Sequence, residues 1–446
     1  MATSQEHSWR VVIDAPLAAA AYAAARDLAT RLRDGGLLEV AFQRITQQSF
    51  VPDLTRWRSE TLATGDAGIA VLCAHLDACF PAEGWDQIGH AHLLKATREA
   101  ANLPHLHVGL FAGLSGLTYA TWALSHEGKR YQRLLTTLTH RLVPMVHNLV
   151  QLTLKQSHGF PVVYYDVVTG LAGIGACLLS LSSHQENLPL EAILEGLVFL
   201  AREEVMGLPA WYVPPSLSRL ESWGDLCPDG FYNCGLAHGI PGPLALLALT
   251  KSAHISVPGL EEAITRTADW LLEQQVGNEW GIGWPLAVPV NHMGPPPGDL
   301  KKCRTAWCYG TPGVARALWL AGEALNCQHY RDIALVAMQS VYRTPLPERR
   351  IDSPSFCHGV AGLLQITLRF AHNSQAPFFI EAANTLTKQL LSLYDPDTLL
   401  GYRNQEGPET LVDQPGLLDG VAGILLVLLA TSTTQEPYWD RLFLLS

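Results

Sequence analysis

The sequence predicts an all-α protein: an α/α toroid in which seven inner helices form a barrel and seven outer helices surround it. The pattern Gly-x-x-Gly followed by an apolar run occurs seven times along the chain. A longer, more polar helical pattern stands ahead of each copy. The gaps between first glycines range from 48 residues (Gly65 to Gly113) to 71 (Gly239 to Gly310). Such unequal spacing argues against an open, regular solenoid, and seven buried helices need covering on every side, so we expect a closed ring.

Each copy predicts a turn and a buried helix. Glycines permit a tight turn or a close backbone approach, and about ten small, apolar residues in a row are typical of a helix buried on most sides. The glycine pairs are Gly65 and Gly68, Gly113 and Gly116, Gly170 and Gly173, Gly239 and Gly242, Gly310 and Gly313, Gly359 and Gly362, and Gly420 and Gly423.

The polar pattern ahead of a copy predicts an amphipathic outer helix. In "LEEAITRTADWLLEQQV" (Leu260 to Val276), Ile264, Ala268 and Leu271 recur at helical spacing on one face. We therefore expect each unit to be an amphipathic helix, a glycine turn and a buried helix. Residues 1–446 then form a single α/α-barrel domain of seven helical-pair repeats.

Two segments depart from the helical pattern. Prolines, aromatic residues and turn residues between Trp211 and Tyr232 predict a small strand-like extension near residues 207–233. The segment "GWPLAVPVNHMGPPPGD", from Gly283 to Asp299, is typical of a loop.

Composition narrows the class of protein. The net charge of −11 argues against nucleic acid as the main partner and leaves no polybasic membrane patch. The longest apolar run, "GILLVLLA" (Gly423 to Ala430), is far shorter than the roughly 20 residues of a membrane helix. The first 32 residues resemble an amphipathic helix more than a signal peptide. We expect a cytoplasmic protein whose nine cysteines are reduced.

The repeat register brings three metal-type residues together. Cys308 and Cys357 both lie two residues before the first glycine of their copies, in consecutive copies, and His358 follows Cys357. Adjacent inner helices would place both thiols side by side, with the imidazole facing the same point. Three protein ligands that leave a fourth position open are typical of catalytic zinc, and sulfur ligands favour zinc over magnesium or calcium.

An open site of two thiolates and one imidazole fits thiol activation. The two thiolates cancel the charge of the ion, so an incoming thiol loses its proton and its sulfur stays electron-rich. Activation of water more often uses a histidine-rich set of ligands.

Four residues near the glycine turns are candidates for acid–base chemistry. His238 precedes Gly239 and is either a proton donor or a buried, hydrogen-bonded histidine. Asp166 either orients His238 or caps the following helix. Arg304 either holds an enolate oxygen or pairs with a surface carboxylate, and Tyr309 is a candidate hydrogen-bond partner.

The remaining cysteines carry less signal. Cys227 and Cys234 are a candidate second metal pair, although no register supports it. Cysteine is a common core residue, and this interpretation fits Cys73, Cys79, Cys177 and Cys327.

The motifs "YYDVVTG", "CGLAHGIPGP", "RTAWCYGTPG" and "SFCHGVAG", with the ending "WDRLFLLS", resemble those of LanC-type lanthipeptide cyclases over essentially the whole chain. The resemblance implies a seven-by-seven α/α toroid and zinc bound by Cys308, Cys357 and His358. It also matches His238 and Asp166 to acid–base positions, and Arg304 and Tyr309 to active-site positions.

The resemblance further implies the reaction and the partners. The enzyme would add cysteine thiolates of a dehydrated precursor peptide to its dehydroalanine and dehydrobutyrine residues, which closes lanthionine and methyllanthionine thioether rings. A leader peptide on the precursor, a lanthipeptide dehydratase and a transporter are the expected partners.

Three alternatives stay open at this point. A LanC-like enzyme that adds glutathione to dehydroamino acids would use the same zinc chemistry. Thiol prenylation also uses an α/α barrel and zinc, but its ligand set includes a carboxylate. A non-catalytic zinc-bearing scaffold of a biosynthetic complex is the third.

Overall fold

The computed structural model describes residues 9–49, 55–156, 158–185, 187–202, 204–205, 207–217, 223, 226–291, 296, 300, 304–351, 353–407 and 410–446. Within these ranges the fold is a helical toroid, as the repeat predicts. Seven inner helices follow the seven glycine turns. They are α3 (Asp66–Cys79), α5 (Leu114–Ala123), α7 (Leu171–Leu181), α9 (Pro241–Ser252), α11 (Thr311–Ala324), α14 (Val360–Ser374) and α16 (Val421–Ser432).

Seven outer helices surround the inner ring. They are α1 (Ala15–Arg33), α4 (Trp85–Asn102), α6 (Gln132–Leu154), α8 (Leu190–Arg202), α10 (Leu260–Glu273), α12 (Gln328–Arg343) and α15 (Pro377–Ser392). Two further helices, α2 (Gly35–Gln48) and α13 (Leu346–Arg349), lie between repeats. Each inner helix contacts the next inner helix, and α16 contacts α3, so the ring is closed.

The pairing of inner and outer helices differs from the predicted unit. Among the outer helices, each inner helix packs most extensively against the one that follows it in the chain, and α1 packs against α16, the last inner helix. The reason is ring closure: the first outer helix covers the inner helix that the end of the chain supplies. The order along the chain is as predicted, and each inner helix packs against the outer helix that begins the next unit.

A ring of backbone hydrogen bonds joins the seven glycine turns. In six copies the N–H of the residue two before the first glycine donates to a carbonyl oxygen of the next copy, and in the third copy the donor is the preceding residue, Val167. The bonds run from Ala63 to Phe111 (3.1 Å), Phe111 to Val168 (3.0 Å), Val167 to Ala237 (3.0 Å), Ala237 to Cys308 (3.2 Å), Cys308 to Cys357 (3.2 Å), Cys357 to Leu418 (3.0 Å) and Leu418 back to Ala63 (3.1 Å).

The glycines are required by close backbone approach. A Cβ on Gly362 would lie 1.9 Å from the carbonyl oxygen of Phe356, which no side chain can tolerate. Gly310 has φ +102°, a left-handed conformation that L side chains rarely adopt. The Gly-x-x-Gly spacing recurs in all seven copies because each copy forms the same turn.

The C-terminal segment lies inside the ring, beneath the turns. Its 3₁₀ helix, Tyr438–Phe443, carries the fully buried Phe443. The ring of Phe443 contacts the rings of Phe111, Trp307 and Phe356, which belong to turns of the second, fifth and sixth copies. The tail thus packs directly against the residues that precede Cys308 and Cys357.

The predicted extension near residues 207–233 is present in the described part of that segment. Strands β1 (Glu204–Val205) and β2 (Leu208–Pro209) form a hairpin, and β3 (Phe231–Asn233) follows. Two further hairpin pairs are β4 (Val276–Asn278) with β5 (Gly281–Gly283), and β7 (Asn404–Gln405) with β8 (Leu411–Val412). The predicted loop from Gly283 is partly wrong, because β6 (Ala287–Pro289) pairs antiparallel with β3.

Candidate metal and acid–base site at the ring of turns

The two predicted cysteine ligands lie together where the fifth and sixth turns meet. Besides the backbone bond at 3.2 Å, the thiol of Cys357 hydrogen-bonds with the thiol of Cys308. That hydrogen bond lowers the pKa of Cys308 to about 7 in spite of burial, and His358 and Arg304 lower it further through their charges. The same hydrogen bond raises the pKa of Cys357, and burial adds to this rise.

His358 faces a carboxylate that the sequence analysis did not single out. Its Nδ1 lies 3.3 Å from Oδ1 of Asp419, and both side chains are about one quarter exposed, at 26%. Ligand atoms of Cys357, His358 and Asp419 all lie within 4.8 Å of one another. Cys308 is outside this group of three and joins it through its contact with Cys357.

The donor set fits zinc. Two thiols in contact and an imidazole beside one of them supply the soft and borderline ligands that zinc prefers. Oδ1 of Asp419 is screened from solvent, and apart from the approach of His358 it has no hydrogen-bond partner among the described residues. A nearby cation or an imidazolium would compensate this buried carboxylate oxygen.

The buried Asp166 pairs with the partly exposed His238 across neighbouring turns. Nδ1 of His238 lies 2.7 Å from Oδ2 of Asp166, whose side chain is 1% exposed. The other oxygen, Oδ1, accepts hydrogen bonds from the backbone N–H of Thr169 (2.7 Å) and of Gly170 (2.8 Å). Asp166 therefore contacts the histidine and caps the turn at once, so the two alternatives of the sequence analysis are compatible.

The pair changes the protonation of His238. Burial alone would lower the pKa of this imidazole, but the hydrogen bond and the charge of Asp166 outweigh it and raise the pKa above its usual value. Because Nδ1 is bound to Asp166, Nε2 is the nitrogen left for other partners. The side chain of His238 remains 37% exposed, so a substrate can reach it.

Tyr309 lies beside this pair and has a partner that the sequence did not reveal. The ring centroids of His238 and Tyr309 are 6.1 Å apart. The amide nitrogen of Asn233 donates to the hydroxyl of Tyr309 at 3.0 Å, and the amide oxygen accepts the N–H of Gly235 at 2.9 Å. Burial raises the pKa of Tyr309, so the phenol keeps its proton.

Arg304 lies exposed at the edge of the site, and its charge acts on both cysteines. The candidate pair Cys227 and Cys234 is buried and lies apart from the group formed by Cys357, His358 and Asp419, and it stays a prediction. The eight cysteines that the structure describes form no disulfide with one another. Cys303 lies outside the described residues.

No helix in the described part of the chain combines the length and the apolar character needed to cross a membrane.

The fold and the site together define an α/α toroid with a two-thiol, one-histidine cluster at its ring of turns. Residues 56–444 match the family model described as "Lanthionine synthetase C-like protein", so the chain belongs to this family. It is 24% identical over 393 residues to "Nisin biosynthesis protein NisC" of Lactococcus lactis subsp. lactis, across 86% of this chain and 88% of that protein.

The fold has a solved counterpart. The structure of "Nisin cyclase" superposes with a TM-score of 0.74 at 22% sequence identity, and the match covers 92% of this chain and 98% of that one. The expected seven-by-seven toroid is thereby confirmed.

Proposed function

We propose that this protein is a zinc-dependent cyclase of lanthipeptide biosynthesis. It adds cysteine thiols of a dehydrated precursor peptide to dehydroalanine or dehydrobutyrine residues of the same peptide. The contact between the Cys308 and Cys357 thiols beside His358, next to the Asp166–His238 pair, is the observation that carries this proposal. Membership of the family supports it, and the name of the similar nisin biosynthesis protein agrees with it.

Cys308, Cys357 and His358 are the residues that would hold the metal. Zinc, when bound at an open site, deprotonates a peptide thiol and keeps its sulfur nucleophilic. The role of the protein is to bring the sulfur and the double bond of one peptide together, which makes the attack intramolecular and lowers its entropic cost.

The bond changes balance without an oxidant or reductant. A carbon–sulfur bond forms at the β-carbon, and the electron pair of the double bond moves toward the carbonyl oxygen as an enolate. One proton leaves the thiol and one is added at the α-carbon. The product therefore has the same mass as the linear peptide.

His238 is the proposed proton donor to the α-carbon. The bond to Asp166 keeps its pKa raised and leaves Nε2 as the donating atom. Arg304 would stabilise the enolate oxygen from the edge of the site, and the protonated hydroxyl of Tyr309 could assist.

Partners and compartment follow from the reaction. The substrate is a dehydrated precursor peptide with its leader, so a lanthipeptide dehydratase must act first, and a transporter would export the product. We place the reaction in the cytoplasm, where thiols are kept reduced.

The test uses a synthetic peptide with one dehydroalanine and one free cysteine. After incubation with the zinc-loaded protein, iodoacetamide marks the remaining thiols and mass spectrometry counts them. Cyclisation removes the reactive thiol at unchanged peptide mass, and Cys357→Ala should abolish this change. Peptide that stays fully alkylated contradicts the proposal, and a peptide that gains glutathione when it is supplied favours the glutathione-adding alternative.

A further inference from the structure

We propose that Asp419 is a positioning residue of the metal centre, which holds the Nδ1–H of His358 so that the imidazole binds zinc through Nε2. The inference rests on the proposed zinc site and assigns a fourth residue to it. Asp419 acts through His358 and is not itself offered as a ligand or a catalytic residue.

The first support is that the side chains of His358 and Asp419 face each other. Nδ1 of His358 and Oδ1 of Asp419 are 3.3 Å apart, which is ion-pair distance. A carboxylate at this distance favours a proton on the ring nitrogen that faces it. The lone pair of a neutral ring then lies on the other nitrogen, Nε2, which is the atom free to bind a metal.

The second support is the burial of the carboxylate oxygen. Oδ1 of Asp419 is shielded from solvent and, among the described residues, finds no hydrogen-bond partner of good geometry. A buried acceptor without a partner costs free energy, and such groups in native proteins usually have a specific reason. The N–H of His358 is the donor that faces this oxygen, since Nδ1 lies 3.3 Å away.

The third support is the fold, which fixes where Asp419 lies. The N–H of Cys357 donates to the carbonyl oxygen of Leu418 at 3.0 Å, so the sixth and seventh turns are joined at the same register. His358 and Asp419 are the next residues of these two turns and therefore neighbours. On the other side, Leu418 donates to Ala63 at 3.1 Å, so the seventh turn is held from both directions.

The chemistry of metal centres gives this arrangement a purpose. Metal-binding histidines usually donate their second N–H to a carboxylate, a carbonyl oxygen or water, which fixes the tautomer and increases the basicity of the ligand. With Nδ1 held by Asp419, His358 cannot turn this nitrogen to the metal. The site is then prepared before the metal arrives, and the fourth position stays open for the thiol of the substrate.

The experiment compares Asp419→Ala, Asp419→Asn and a control, Glu195→Ala, which changes an exposed carboxylate on the outer helix α8. Zinc affinity is measured by competition with a chelator. We expect Asp419→Ala to weaken it about 10- to 100-fold. Asp419→Asn, which keeps an oxygen to accept the N–H, should recover most of the loss, and the control should bind like the parent protein. Circular dichroism checks that each variant is folded.

Nitrogen-15 NMR of labelled histidine supplies a readout that a general loss of stability would not move. Before zinc is added, the neutral ring of His358 should carry its proton on Nδ1, and Asp419→Ala should lose this single-tautomer signal. Unchanged zinc affinity in Asp419→Ala overturns the inference. So does X-ray absorption in which Asp419→Asn removes an oxygen from the zinc shell, because Asp419 would then be a ligand. A parent protein that binds no zinc refutes the proposed function itself.

Discussion

The backbone N–H of Cys308 donates a hydrogen bond to the carbonyl oxygen of Cys357 at 3.2 Å. This bond is one member of the ring that joins all seven turns, so the distance between the two thiols depends on the closure of the whole toroid. The thiols belong to different helical pairs, 49 residues apart in sequence. A metal centre at this place is therefore a product of the ring and not of a local motif.

Replacing one thiol should remove the metal and the activity together. Cys308→Ala leaves one thiol and one imidazole, and two ligands hold zinc poorly. Loss of a direct ligand should cost more than the roughly 10- to 100-fold that loss of a supporting residue costs. Zinc content by mass spectrometry and the cyclisation rate are the measurements. Cys327→Ser, at a half-buried cysteine outside the site, should keep both. Full activity in Cys308→Ala would contradict a catalytic metal.

A methyl group in the sixth turn should disturb the site through the backbone. In Gly362→Ala the new Cβ would lie 1.9 Å from the carbonyl oxygen of Phe356, the residue before Cys357. The turn must shift, so we expect lower stability by more than about 1 kcal/mol and weaker zinc binding. Gly35→Ala is the matched control, since nothing lies within 4 Å of its Cβ. Thermal unfolding and chelator competition compare the two variants, and equal behaviour would count against the turn as support for the site.

The fold was predictable because its rule is local and repeated. Each glycine pair predicts a turn whose backbone cannot accommodate a side chain. Seven pairs therefore predict seven inner helices. Closure was also expected, but the packing of α1 against α16 was not, since no local pattern records which partner a helix meets after the chain returns to its start.

The site was predictable only in part. Cys308, Cys357 and His358 stood out because sulfur and imidazole are rare at that register. Asp419 precedes the first glycine of the seventh copy, as His358 precedes that of the sixth. The repeat therefore placed Asp419 near the site, but an aspartate before a helix is a common turn residue and was not singled out. Asn233 ends strand β3 and lies six residues before Gly239, the position that His107, Ser353 and Gln414 hold in other copies. No sequence pattern connected it with Tyr309.

Removing the aromatic tail residue beneath the turns should weaken both the fold and the metal site. Phe443 is fully buried and contacts Trp307 and Phe356, the residues before the two cysteines. Phe443→Ala should cost about 3–5 kcal/mol, measured by urea unfolding, and should lower zinc affinity in the protein that stays folded. Tyr438→Ala, five residues earlier and 65% exposed, should change neither. If folded Phe443→Ala bound zinc as well as the parent protein, the C-terminal segment would not support the metal site.

The Asp166–His238 pair should set the upper pH limit of the reaction. Asp166 raises the pKa of His238, so the pair stabilises the fold fully below the unfolded histidine pKa of about 6.5 and loses this contribution as the pH rises through the raised folded value. The same proton is the one proposed to reach the α-carbon. The rate should therefore fall as the pH rises past the folded pKa of His238.

Asp166→Asn tests this directly, because it removes the charge and keeps an oxygen for the N–H groups of Thr169 and Gly170. The falling limb of the pH–rate profile should move to lower pH, and the maximum rate should drop within the roughly 10²- to 10⁴-fold range of general acid catalysis. Asp166→Ala should lose about 1 kcal/mol more of stability, since the cap is lost as well. An unshifted profile in Asp166→Asn would mean that Asp166 only caps the turn and that the proton comes from another group.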